Sequence, residues 1–176
     1  MNVHRLGAKF FVADPASIRL DSIIPVFHGW IQKQNLSSHL LIDVHDYSHM
    51  HEGPGILLVA HEGNFSIDMA DGRPGLLYYR KAPTTLAPAD HVAAILKSAV
   101  QACRLFEKDV PGVRFGLDEF LVIANDRLNA PNTEELFAEL QPTLAAALKQ
   151  VFERQFSLSR VSTDPKERLT VHVRTV

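Results

Sequence analysis

Cysteine is almost missing from this chain. Cys103 is the only one among 176 residues, so no internal disulfide can form. Long apolar runs are missing too. No segment approaches the ~20 apolar residues that a membrane-spanning helix needs. An excess of one charge is also lacking. The net charge is −2 and the pI is near 6.5, so no strong field steers the chain toward nucleic acid or an anionic membrane. The densest basic stretch, Lys166 to Arg168, is broken by Glu167 and reads as a solvated strand face. Motifs with a known mechanism are absent as well. There is no G-x-G-x-x-G, no G-x-x-x-x-G-K-[ST], no H-E-x-x-H, no C-x-x-C pair and no G-x-S-x-G elbow. The stretch Met1 to Leu6 has no apolar core of its own, so no export signal is read there. A cytoplasmic location follows as the expectation.

The composition that remains is ordinary for a globular protein, at 46% hydrophobic and 22% charged residues. The length suits one domain over residues 1–176. Such a chain can bury enough surface to fold without staples.

Periodicity supplies the elements. Lys9 to Ala13 reads as a first strand, stopped by Asp14-Pro15. A helix is predicted from about Ser22 to Gln34, with Ile23, Phe27, Trp30 and Ile31 on one face. His39 to Val44 reads as a strand, and a polar loop follows from His45 to Pro54. Ile56 to His61, Asn64 to Met69 and Gly75 to Arg80 then form a β-meander, because connections this short force antiparallel neighbours. Asp71-Gly72 is the turn of its last hairpin. Pro88 to Lys108 is the clearest helix, with Cys103 on its apolar stripe as a buried small hydrophobe. Val113 to Ala124 is strand, divided near Gly116 to Asp118, with 120–124 as a central buried strand. Asn132 is expected to cap a final helix in a box with Glu135, and Pro142 to kink or split that helix. Phe156 to Ser162 and Leu169 to Val176 close the chain as strands. Strands cluster rather than alternate with helices, so the expected class is α+β. Its form is a largely antiparallel sheet with three helices packed mainly on one face.

One stretch has unusual chemistry. Between Lys33 and Arg73 there is no Lys or Arg, yet five of the nine histidines lie there: His39, His45, His49, His51 and His61. Six acids accompany them: Asp43, Asp46, Glu52, Glu62, Asp68 and Asp71. Imidazole and carboxylate are the ligands that divalent metals take. His45, Asp46, His49, His51 and His61 are therefore candidate ligands of a divalent metal, with Glu62 or Asp68 behind them. An open position on that metal would activate water for hydrolysis. The plain alternative is a solvated loop, since the spacing matches no established metal motif.

Two other features are singled out. Asn125, Asp126 and Arg127 follow the central strand, where Asp126 can orient Arg127 toward an anionic ligand or all three can simply make a turn. Tyr78 and Tyr79 point to opposite faces of their strand, one into the core and one toward a pocket or interface. Val171, Val173 and Tyr79 are the candidate interface of a homodimer.

The run Gly53 to Phe65, with Asp71-Gly72-Arg73 and Gly75 to Tyr78, resembles bacterial hypothetical proteins with no assigned activity. The resemblance implies a bacterial, intracellular, soluble protein and carries no residue roles. Three functions remain open at this level. The first is a module that binds a small molecule or forms a homo-oligomer. The second is a metal-dependent hydrolase built on residues 45–68. The third is an adaptor for a basic protein partner, whose binding would weaken with salt.

Overall fold

The structure is a computed structural model and describes residues 5–51 and 53–176. Met1 to His4 and Glu52, one of the six acids above, lie outside the described residues. Among the described residues there are eight strands and three helices: β1 (Leu6–Val12), α1 (Leu20–Lys33), β2 (Leu41–Asp46), β3 (Ile56–Ala60), β4 (Gly63–Asp68), β5 (Gly75–Arg80), α2 (Pro88–Asp109), β6 (Phe115–Ala124), α3 (Glu134–Val151), β7 (Phe156–Arg160) and β8 (Thr170–Thr175). Short 3-10 turns follow β1 and β4.

The strands form one antiparallel sheet in the order β2-β3-β4-β5-β1-β6-β8-β7. The β2 to β5 run is the expected meander. Alternating direction along the sheet makes β1 parallel to β2, β5 parallel to β6, and β6 parallel to β7. Each helix therefore crosses between two parallel strands, with one or more antiparallel strands inserted between them. Helix crossovers between parallel strands thus occur even though strands cluster along the sequence. They do not make a doubly wound sheet, because no two parallel strands are neighbours.

The helices cover one face of the sheet. Ile23, Phe27 and Trp30 of α1, the α2 stripe from Val92 to Phe106, and Phe137, Leu140, Leu144 and Leu148 of α3 pack on Ala8, Phe10, Leu58, Phe65, Phe120, Val122, Val171 and Val173. Val171 and Val173 thus lie in the core, under the helices and not at an interface. Cys103 is fully buried, and burial pushes its thiol up well above the usual range. Trp30 Nε1 donates to Asp109 Oδ2 at 2.8 Å and ties α1 to α2. Asp71 and Gly72 both have positive φ, as the turn reading required.

Three local expectations are corrected. Thr133 caps α3, not Asn132: its Oγ1 accepts from Leu136 N. The Asn132 side chain is buried and donates to the carbonyls of Ser162 and Asp164, binding the β7–β8 loop. Pro142 does not split α3, which is continuous from Glu134 to Val151. Likewise β6 is a single strand, and the irregularity near Gly116 to Asp118 is a register shift against β1 between Phe10 and Val12.

Candidate functional site

The face away from the helices carries the site. Strand alternation sends Lys9 and Phe11 of β1, Asn64, Ser66 and Asp68 of β4, Leu77 and Tyr79 of β5, and Leu121 and Ile123 of β6 to this side. The register lines them up in rows across the strands. One row runs Asn64, Tyr79, Gly7, Ile123, Thr170, and the next Ser66, Leu77, Lys9, Leu121, His172. Phe11, Leu77, Leu121 and Ile123, with Tyr79 against them, form a second apolar cluster separate from the main core.

Lys9 sits in the middle of this face and is only 1% exposed. Its Nζ donates to Asp68 Oδ2 at 2.5 Å and to the Ala70 carbonyl at 3.1 Å. Asp68 is 7% exposed. A buried ammonium is tolerated only when paired in this way. Gly75 makes room for its stem: a Cβ there would lie 3.1 Å from Lys9 Cγ and Cε and 2.6 Å from the Phe10 carbonyl oxygen.

A cavity of about 520 Å³ opens beside this pair. Leu57, Leu77, Leu121 and Ile123 give it an apolar floor, and Ser66, Asp68 and Lys9 its polar end. Arg5, Lys81 and Arg168 stand on its exposed rim. The Tyr79 ring lies across Gly7, where a Cβ would come within 2.4 Å of Tyr79 Cδ1. Its hydroxyl accepts from Arg168 Nη1 at 3.1 Å. Burial pushes the Tyr79 phenol up to about 12, so it stays neutral.

Next to the cavity, Glu119 accepts from Arg73 Nη1 at 2.8 Å and interacts with His172 Nε2 at 2.6 Å. The Arg73 guanidinium lies 3.6 Å from the centre of the Phe11 ring. The Arg73 hydrogen bond, helped by His172, holds the Glu119 carboxyl down at about 2. These groups satisfy one another and are not among the residues lining the cavity.

The candidate metal ligands do not gather into a centre. Among the described residues, no three His, Cys, Asp or Glu side chains come together so as to hold a metal. Topology supplies the reason. Leu41 pairs with Ala60 and Asp46 with Ile56, and His61 N donates to the Leu40 carbonyl. His61 is therefore at the end of β2 away from the loop that carries His49 and His51, about 16 Å along a strand of this length. His45 Nε2 lies 3.6 Å from Asp43 Oδ2. Asp46 turns to the backbone of Ser48. The carboxylates expected behind the metal are engaged elsewhere, Glu62 by Leu40 N and Asp68 by Lys9. His39 is buried beneath the sheet, with Nε2 2.7 Å from the Tyr78 hydroxyl and Nδ1 2.9 Å from Ser38 Oγ. Burial lowers the His39 pKa and raises that of Tyr78 to about 12.

Of the Asn125-Asp126-Arg127 trio, only Asn125 lines the cavity. Asp126 does not orient Arg127. Its carboxylate accepts from the Asn129 side chain at 2.8 Å and from Asn129 N at 3.3 Å, making a turn. Tyr79 does reach a pocket, but Phe65 stacks on Tyr78 inside the core, at 4.5 Å between ring centres. Sequence reasoning passed over Lys9, Arg5, Lys81 and Arg168 as site residues. Lys9 had a signal: it is the single charge within Leu6–Val12.

No protein-family model, curated protein or solved structure matches the chain. No helix of the described residues is long and apolar enough to cross a membrane.

Proposed function

We propose that this protein is a cytoplasmic small-molecule-binding module whose site is the cavity on the helix-free face of the sheet. The observation that carries this reading is the buried Lys9–Asp68 pair at the polar end of a 520 Å³ cavity with an apolar floor. Ligand sites combine concave apolar walls with a few converging polar groups, and their volumes run from about 300 to 1,000 Å³. A sheet face without helices would otherwise be flat and wet. Here it holds a lysine that costs free energy to bury. The test is methyl NMR with a library of small aromatic fragments. Fragments should shift the methyls of Leu77, Leu121 and Ile123 and leave those of Leu144 and Val173, on the helix side, in place. If no fragment moves the open-face methyls at millimolar concentration, the reading fails.

Self-association through the β2 edge is the second reading. Leu40, Ile42 and Met50 expose large apolar side chains on or beside that unpaired edge, which is a template for another strand. Sedimentation equilibrium tests it directly. A dimer that Ile42→Lys dissociates supports the reading, and a monomer at high concentration removes it.

A further inference from the structure

We infer that the ligand of this cavity is an organic anion: a carboxylate or phosphate monoester on a flat apolar body. The inference rests on the cavity reading above and adds the class of ligand.

Charge distribution carries the argument. The whole chain has a net charge of −2, yet the described residues lining the cavity include five basic residues and two acids; one of the five, Arg80, turns its side chain to Tyr78 on the helix side. The two signs are also segregated. Asp68 is at the deep end and is already paired with Lys9. Arg5, Lys81 and Arg168 stand together at the other end; Arg5 feels the charge of Asp126, whereas Lys81 and Arg168 have no ion-paired carboxylate among the described residues. Lys81 Nζ reaches only the amide oxygen of Asn64, at 3.1 Å. Arg168 reaches only the neutral hydroxyl of Tyr79. Elsewhere on this face arginines do find acids: Arg73 and Arg174 both meet Glu119. Three cations at one mouth, two of them with only neutral partners, form a receptor for an anion.

The floor sets the rest of the ligand. Leu57, Leu77, Leu121 and Ile123 offer no hydrogen bonds, and the Tyr79 ring lies beside them. Inorganic phosphate would leave that surface bare, whereas an aromatic or similarly flat body would cover it. At the deep end, the Ser66 hydroxyl and the free edge of the Asp68 carboxylate suit a hydroxyl or amine on the far side of the ligand. A ligand with net positive charge is disfavoured, because Asp68 is neutralised by Lys9, the second acid, Asp71, is exposed to solvent, and the rim cations would repel it.

Three probes of one shape test the inference: 2-naphthoate, 2-naphthyl phosphate and neutral 2-naphthamide. Binding is read by the methyl shifts of Leu77, Leu121 and Ile123 and by titration calorimetry. At least one anion should bind about tenfold or more tightly than the amide, the usual worth of a hydrogen bond to a charged group. Raising the salt should weaken the anion and leave the amide unchanged. Arg168→Gln and Lys81→Gln should each erase most of the preference. Arg127→Gln, an exposed cation off the cavity, should leave it intact. The tighter of the two anions identifies the head group. If the amide binds as tightly as both anions at the same methyls, the anion inference falls and the cavity reading stands. If none of the three probes, and no member of the fragment library, moves those methyls, the cavity reading itself falls.

Discussion

Truncating Asp68 to Ala should destabilise the protein by about 3–5 kcal/mol, the usual cost of stranding one member of a buried ion pair. The structure sets the terms. Lys9 Nζ and Asp68 Oδ2 are 2.5 Å apart, and their side chains are 2% and 11% exposed. At an effective dielectric constant of ~20, the attraction at that distance is about 7 kcal/mol. Desolvation costs several kcal/mol per ion and offsets most of it. The intact pair therefore contributes little net stability. With Asp68 gone, the ammonium keeps only the Ala70 carbonyl, still out of water, and nothing offsets its desolvation. Replacing both residues with apolar ones, Lys9→Met with Asp68→Leu, should bring stability back to within about 2 kcal/mol of the parent. Urea unfolding followed by Trp30 fluorescence is the assay, since Trp30 is fully buried and is the chain's one tryptophan. With a slope of ~2 kcal/mol/M, the single variant should lose about 2 M in midpoint. A loss below ~1 kcal/mol for Asp68→Ala would refute the reasoning, and so would a double variant as unstable as the single one. Either result would mean that water reaches Lys9.

Glu119 has a folded pKa near 2 against an ordinary value of 4.5. A depressed carboxyl pKa stabilises the fold above the unfolded value, and that stability is lost as pH falls toward the folded one. Acid unfolding of the parent should therefore steepen between pH 4.5 and about 2, and Glu119→Gln should flatten that part of the curve. Gly7→Ala would drive a methyl into the Tyr79 ring and to within 2.8 Å of the Tyr78 carbonyl oxygen; thermal melts should show a cost of about 1–3 kcal/mol. At the start of α3, Thr133→Ala should cost about 1 kcal/mol as a lost cap. Asn132→Ala should cost about 1–3 kcal/mol, because it leaves the carbonyls of Ser162 and Asp164 without their donor. Thiol labelling of Cys103 should be undetectable in the native protein and complete in denaturant, as its full burial demands.

The elements were legible in the sequence because local periodicity carries them. The stripe Val92, Leu96, Ala99, Cys103 and Phe106 can bury one face only as a helix. The alternation in β8 and the short turns between β3, β4 and β5 leave little choice but antiparallel strands. The α+β class, with the helices gathered on one face, followed from the same patterns. Caps were less legible. Asn132 and Thr133 are adjacent and both suit an N-cap, and only the position of the β7–β8 loop decides which side chain is needed elsewhere.

The site was another matter. The histidine loop drew the eye because its residues are close in sequence, but residues 45–51 and 61 lie toward opposite ends of one hairpin. The cavity instead takes Arg5 and Lys9 from β1 and its approach, Ser66 and Asp68 from β4, Tyr79 from β5, and Arg168 from the turn before β8. What the sequence by itself determined was which residues are apolar, with what period, and hence which strands and helices form. Only tertiary structure decided that β1 inserts between β5 and β6, which brings Lys9 within reach of Asp68 and gathers cations around an apolar floor. The physical reason is one of range. Hydrophobic period and turn chemistry act over a few residues, whereas a strand's neighbours are chosen by the packing of the whole sheet against its helices.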